Sequence, residues 1–556
     1  MLRRVWKPVA ATTLFVAAPS YLYYHYHFKQ RTSQTVQVPV RIRGEDGQPT
    51  MATRVFPLLS QSTVDERLRE HAKEEIIHRS GRNWRINTAS VAANDPIEDA
   101  HAHVIVTRDP DDPLAPGDWL FFAIMDGHAG PHTSRLLSKT LVNAVMLELS
   151  SLIHDTKASR WFSTSKVQNP DTISLAIQNA FTKLDHELIN APLRVLAENM
   201  DKEVGASQRI PDLSGHPLAL PLMLPAVSGS CALMAVIDTA QRNLYIACSG
   251  DSRAVAGVWE ENENGGGSWR VEVLSEDQTG RNPNEHKRMQ SEHPPEEAEK
   301  VIIRGRVLGG LEPTRAFGDA RYKWSREVQD VLSSLNTAFL VGNNKPLRPA
   351  PASLKTPPYV TATPVVTHRD LTFGDFADEN SSAPSTQLKP SPPCFVVLAT
   401  DGLWDKLSSE EVVALVGGAL QGLSGTIPKI ELSSLVPTAP GSTSTVEGKD
   451  KHTLKDMDKK QDGSWSFDDD NLSVHLIRNA FGGGDRHAVK TLMSIPYPHA
   501  RRYRDDTTVT VVVWDDNYEG PGRNASANRR PEEKGRTDSG TEDKIPNNDS
   551  GVKAKL

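Results

Sequence analysis

Cysteine is scarce: Cys231, Cys248 and Cys394 are the only three in 556 residues. Each sits in an apolar run that reads as a buried strand. They form neither a spaced metal set nor a disulfide framework, so a reducing interior is the simpler setting. A basic excess is also missing. Lys+Arg number 63 against 70 Asp+Glu, a formal net charge of -7, which argues against a general nucleic-acid binder. No internal repeat is visible. Beyond Asp516 almost nothing is apolar, so residues 517–556 have no means of burying a core and read as a disordered polar tail.

Two local absences mark the N-terminus. No acid precedes Glu45, while Arg3, Arg4, Lys7, Lys29, Arg31, Arg41 and Arg43 are all basic. That is the composition of a mitochondrial presequence. From Pro8 to Phe28 there is no Lys, Arg, Asp or Glu, and Leu14, Phe15, Val16 and Leu22 make a marginal membrane span of about 20 residues. Pro8, Pro19, His25 and His27 weaken it. Residues 1–45 thus read as a mitochondrial targeting segment, either an inner-membrane anchor or a cleaved presequence with an apolar middle. At the other end, Ala554-Lys555-Leu556 is a conservative variant of the Ser-Lys-Leu peroxisomal address, which an import receptor reads; a chance tripeptide is the alternative.

Between these ends the chain is patterned for a globular domain over 60–516. Thr63-Val64-Asp65-Glu66 predicts a capping box opening a helix with Val64, Leu68, Ala72 and Ile76 on one face. Val104–Val106 and Leu120–Met125 read as strands. Two long helices follow, with Leu137, Leu141, Val145, Leu149 and Leu152 on one and Ile173, Ile177, Phe181, Leu184 and Leu188 on the other. Further strands are expected at Ala232–Ile237, Leu244–Ser249, Ala254–Val258, Val271–Leu274, Cys394–Ala399 and Thr507–Trp514. Ser408-Ser409-Glu410-Glu411 predicts a second capped helix. Segments at about 199–227, 340–392 and 424–470 read as loop insertions. The pattern indicates an α+β domain, sheet on sheet with helices outside.

Four acidic clusters lie at strand edges: Glu98-Asp99, Asp126-Gly127-His128, Asp401-Gly402 and Asp505-Asp506. One Asp-Gly pair is usually a plain turn. Four carboxylate clusters at strand ends that can meet at one mouth repel strongly unless cations neutralise them. Carboxylates without a His or Cys partner set favour Mg²⁺ or Mn²⁺ over Zn²⁺.

The ordered motifs Glu98-Asp99, Asp126-Gly127-His128-Ala129-Gly130, Ser228-Gly229-Ser230-Cys231-Ala232, Gly250-Asp251-Ser252-Arg253, Arg315-Ala316-Phe317-Gly318-Asp319, Asp401-Gly402-Leu403-Trp404-Asp405 and Arg504-Asp505-Asp506 resemble the PPM (type 2C) protein phosphatases. The likeness spans roughly 87–516. Pro96-Ile97-Glu98-Asp99, Ser291-Glu292-His293-Pro294 and Tyr322-Lys323-Trp324 resemble its mitochondrial pyruvate dehydrogenase phosphatase subfamily.

That resemblance implies a β-sandwich of two antiparallel sheets flanked by long helices, and a metal-dependent Ser/Thr phosphatase. It implies two Mg²⁺ or Mn²⁺ ions per subunit, with Asp126 shared, Asp401 and Asp505 on one site and the Gly127 carbonyl on the other. Glu98 and Asp99 would hold water near the ions, and Asp251 with Asp405 would build a weaker third site. His128 would protonate the leaving oxygen. Many family members carry an arginine clamp for phosphate four residues before the first glutamate; here Asn94 stands there, as in the mitochondrial subfamily, so the resemblance implies that phosphate is held by the metals plus Asn94, without the arginine's charge. No Cys-(x)₅-Arg loop is present for a thiolate mechanism. Arg315 is expected to be structural, Arg253 to pair with a core carboxylate, and Ser228-Gly229-Ser230 to be a tight bend entering a strand. The implied partner is a phosphoprotein, a pyruvate dehydrogenase subunit by subfamily likeness. Alternatives are a broader phosphatase shared between mitochondria and peroxisomes, or a scaffold that has lost its metals.

Overall fold

The computed structural model describes residues 35–515 except 44–47, 111, 113, 159–168, 201–212, 214–215, 262–265, 335–346, 372–393 and 441–461. The segment 1–34, the tail from 516 and the terminal Ala554-Lys555-Leu556 therefore lie outside the described residues.

The strand Asp118–His128 shows how the layers arise. Its central residues are buried on both faces, so it reads as a continuous apolar run rather than an alternation. Leu120, Phe122 and Ile124 point to one side and pack with Trp84, Ile86, Val396, Leu398 and Val512 of a second sheet. Phe121, Ala123 and Met125 point to the other and pack with Leu137, Leu141, Val145, Ile173, Ile177 and Phe181. The latter come from two long helices, His132–Ala158 and Pro170–Glu198. Each fully buried large aliphatic here contributes roughly 1.5–3 kcal/mol of transfer free energy.

The first sheet runs Val365–Asp370, Asn243–Ser249, Gly229–Asp238, Asp118–His128, Ala100–Thr107, with the short Phe317–Gly318 paired to the start of Gly229–Asp238. The second runs Thr438–Pro440, Gly267–Val273, Arg253–Glu261, Cys394–Ala399, Thr507–Asp515, Arg82–Val91, Lys73–Arg79. Every pairing in these two sheets is antiparallel except Thr438–Pro440 against Gly267–Val273. Helices Ser409–Leu420, Leu472–Ala480 and Gln61–Arg69 cover the outer face of the second sheet through Val412, Leu415, Leu476 and Leu68. The result is the expected α+β sandwich, helix–sheet–sheet–helix.

Ser408 and Glu411 form the capping box as predicted. The first box is different. Ser60, not Thr63, caps Gln61–Arg69, its hydroxyl accepting from the Thr63 N–H at 3.1 Å. Val64 and Leu68 are buried, but the helix ends before Ile76, which is 63% exposed. Ile76 belongs instead to the edge strand Lys73–Arg79. Ser80 and Gly81, with φ of 50° and 71°, turn that strand back onto Arg82–Val91. Two successive left-handed residues are the signature of a tight hairpin, which overrode the helical spacing.

The insertions also carry structure. Ala219–Val227 is a helix with Met223 and Ala226 buried, Val365–Asp370 is a sheet edge, and Lys429–Leu435 and Ser464–Phe467 pack beside Ser409–Leu420. Their many prolines and polar residues masked short elements that gain stability only from tertiary contacts. Thr35–Arg43, inside the expected targeting segment, forms a hairpin with Pro49–Pro57. Its Val38 and Val40 pack on Ile495.

A candidate active site around a carboxylate cluster

Strand ends bring the acids together. Asp126 stands near the end of Asp118–His128, opposite Cys231 in the ladder. Asp251 lies in the turn after Asn243–Ser249, and Asp401 opens the short helix following Cys394–Ala399. One ligand oxygen from each of Asp126, Asp251 and Asp401 lies within 4.8 Å of the others. Asp251, which the resemblance puts at a third site, has its carboxylate beside those of Asp126 and Asp401.

The cluster faces a cavity of about 1060 Å³, also lined by Glu98, His128, Asp319, Asp405, Arg501 and Asp505. Burial, then the charges of Asp401, Asp99 and Asp251, push the Asp126 carboxyl well above its ordinary range. Such convergence is costly unless a cation balances it. The donor set is all oxygen, which fits Mg²⁺ or Mn²⁺. Gly127 fits too, for a Cβ there would overlap the Glu98 carbonyl oxygen and crowd Ser134 Oγ, so only glycine lets these backbones approach.

The remaining predicted residues separate into those facing the cavity and those behind it. Glu98 faces it. Asp99 is buried behind, accepting from Thr400 Oγ1 at 3.0 Å, while Thr400 Oγ1 accepts from the Thr508 N–H at 2.9 Å. Asp99 therefore fixes the residue before Asp401 rather than lining the mouth. Asp505 lines the cavity and is ion-paired with Arg501. Asn94 is not among the lining residues. Its amide donates to Asp506 Oδ2 at 2.9 Å and to Glu98 Oε2 at 3.4 Å, which occupies the group expected to grip phosphate.

Three residues had no role assigned from the sequence, although two of them stand in the motifs quoted above. Asp506 is a buried hub, accepting from the N–H groups of Ala93, Asn94 and Glu98 at 2.5, 2.9 and 2.9 Å. It sits next to Asp505, and only packing tells the two apart. Asp319, with φ of 50°, holds His128: Nε2 and Oδ2 are 2.6 Å apart. Burial works against a charged His128, but Asp319, then Asp251 and Glu98, outweigh it and raise its pKa above the usual histidine range. Arg501 is the third, and its signal was available as the basic run Arg501-Arg502 before Asp505.

The supporting motifs are structural, as expected. Arg315 donates to Glu285 Oε1 at 2.7 Å and to the Thr363 carbonyl at 2.7 Å. Arg253 grips Asp277 with two nitrogens at 2.9 and 2.7 Å. Gly229 opens its strand directly after Ser228, the C-terminal cap of Ala219–Val227.

Oxygen ligands converging at one end of a sandwich, beside a histidine paired with an aspartate, fit a metal-dependent hydrolase. Residues 89–422 match the protein phosphatase 2C family, and the chain belongs to that family of protein-serine/threonine phosphatases. It is 35% identical over 461 residues to a protein phosphatase 2C homolog of Schizosaccharomyces pombe, covering 82% of this chain and 85% of that one. It is 34% identical over 476 residues to the mitochondrial [pyruvate dehydrogenase [acetyl-transferring]]-phosphatase 1 of Saccharomyces cerevisiae, covering 83% and 73%. The Homo sapiens protein of that name is 30% identical over 470 residues, covering 78% of each. Among solved structures, a serine-threonine phosphatase 2C from Toxoplasma gondii is similar at 15% identity and a TM-score of 0.38, covering 80% of this chain and 99% of that one.

Proposed function

We propose that this protein is a mitochondrial phosphatase that removes phosphate from serine or threonine of a pyruvate dehydrogenase subunit. The carrying observation is the convergence of Asp126, Asp251 and Asp401 beside the His128–Asp319 pair. The pyruvate dehydrogenase assignment rests on the mitochondrial relatives and the coverage they share with this chain.

Asp126, Asp401, Asp505 and the Gly127 carbonyl would hold two Mg²⁺ or Mn²⁺ ions, with Asp251 and Asp405 extending the set toward a third. Bound ions supply Lewis acidity and a water that ionises near neutral pH. Asp99 keeps Asp401 in register through Thr400. Glu98 orients solvent at the mouth. Arg501, beside Asp505, offers a guanidinium for the phosphate oxygens in place of the occupied Asn94. His128, oriented by Asp319 and with its pKa raised by that carboxylate, would deliver a proton to the departing serine or threonine oxygen.

The test is phosphate release from a phosphorylated pyruvate dehydrogenase subunit by the full chain with Mg²⁺, with Mn²⁺ and with chelator. Metal-dependent release is expected. Release from a generic phosphoserine peptide but none from that subunit would reassign the substrate. A folded protein inactive on both would favour a scaffold.

A further inference from the structure

The cavity has a wall that hydrolysis does not require. Its floor is carboxylate, but Arg281, Arg306, Arg321 and Arg348 line the same space. Their charges are poorly offset. Arg281 Nη1 and Arg306 Nη2 donate to the two oxygens of one carboxylate, Glu312, at 2.5 and 2.6 Å. One negative charge between two guanidiniums leaves a positive surplus. Arg321 Nε donates to the Pro349 carbonyl at 2.8 Å, and its guanidinium carbon lies 5.6 Å from the centre of the Tyr322 ring. Neither partner is an anion. The Arg281 and Arg306 side chains stay 31% and 42% exposed, so an incoming group can reach them.

Divalent ions on the floor would cancel most of its negative charge, leaving the wall's field to face the mouth. A lone phosphoserine would be handled by the floor. A substrate carrying a further anion beside it would also satisfy the wall. Guanidinium forks match carboxylates in two-point contacts, which gives geometry as well as attraction.

We infer that the Arg281–Arg306–Arg321–Arg348 wall is a specificity subsite that selects phosphopeptides with an acidic side chain close to the phosphorylated residue. This rests on the phosphatase reading of the floor and adds the class of sequence it prefers.

The experiment uses the full chain and matched phosphoserine peptides that differ only by Asp or Lys at one position within four residues on either side. At low salt, kcat/KM should favour Asp over Lys by about three- to tenfold at one or more positions, the range that a few partly exposed ion pairs provide. Raising the salt should shrink that ratio. Arg306→Gln and Arg321→Gln should each move it toward one, mainly through KM. Arg306→Glu should turn the preference toward Lys, and Arg306→Lys should keep part of it. A merely structural role for these arginines would lower turnover of both peptides alike and leave the ratio unmoved, which overturns the inference. Equal rates for Asp and Lys peptides at every position overturn it too. Wild-type hydrolysis of p-nitrophenyl phosphate, which has no flanking residues, separates the two failures. Without that activity the phosphatase reading falls; with it but without discrimination, only the wall's role falls.

Discussion

His128 Nε2 lies 2.6 Å from Asp319 Oδ2, although the two residues are 191 positions apart. A bend of one short strand brings them together: Phe317–Gly318 pairs with Ser230 and Gly229 at the start of Gly229–Asp238. Gly229 is the reason they can meet there. A Cβ at that position would overlap both His128 Nε2 and Asp319 Oδ2.

Asp319→Asn should lower kcat by about ten- to a hundredfold, within the range that a positioned general acid provides. The sign of its pH effect is fixed. Asp319 raises the His128 pKa against the opposing effect of burial, so removing its charge lets that pKa fall. Protonated His128 is then lost at a lower pH, and the alkaline limb of the kcat profile should move downward in pH. An unmoved limb would show that another group donates the proton.

Asp126→Asn should abolish metal-dependent phosphate release, because Asp126 belongs to the central cluster. Asp251→Asn should weaken metal binding in calorimetric titration more than Asp99→Asn does, since Asp99 is buried behind the mouth. Equal losses from both would mean that the central cluster is not the metal site.

Arg501→Gln should raise KM for a phosphopeptide at least fivefold, while Asn94→Ala should act chiefly on stability. Arg501 lines the cavity, whereas the Asn94 amide is bound to Asp506. Steady-state kinetics with thermal melts on both variants decide between them.

Glu285→Gln should destabilise the fold by about 3–5 kcal/mol, the usual cost of leaving a buried guanidinium without its partner. Arg315 is the residue stranded. Burial opposes ionisation of Glu285, but hydrogen bonds from Arg315 and Arg288 prevail and hold its pKa down to about 2. Its contribution is therefore complete above the ordinary carboxylate pKa and lost as pH falls toward 2. Denaturant melts from pH 6 downward should show this slope in the wild type and not in the variant.

His475 should give a second, separate slope. It is fully buried, donating from Nε2 to the Leu415 carbonyl at 3.2 Å, and burial lowers its pKa to about 4. Unfolded histidine takes a proton near pH 6.5 that the folded ring refuses until about pH 4. Stability is full above that window and declines through it, by up to about 3 kcal/mol at 1.36 kcal/mol per pH unit. His475→Gln should flatten the decline between pH 6.5 and 4. An unchanged slope would place the titration elsewhere.

The sequence by itself determined the elements and the chemistry of the floor. Runs such as Leu120–Met125 and Val509–Val513 are apolar on both faces, and a strand of that kind must be covered on both sides. The acidic clusters announced themselves because carboxylates at strand ends, two of them followed by glycine, are visible as a local pattern. Local pattern failed at the hairpin Lys73–Arg79, where a two-residue turn outweighed helical spacing, and in the insertions, whose short elements hold only by packing. Tertiary structure alone decided which acids share a cluster and which stand behind it. Asp251 came into the centre, Asp99 and Asp506 went into the scaffold, and Asn94 was spent on Asp506. Those outcomes depend on which strand ends are neighbours and how far each side chain reaches. Side-chain direction and long-range proximity are properties of the packed sheets, and no stretch of neighbouring residues encodes them.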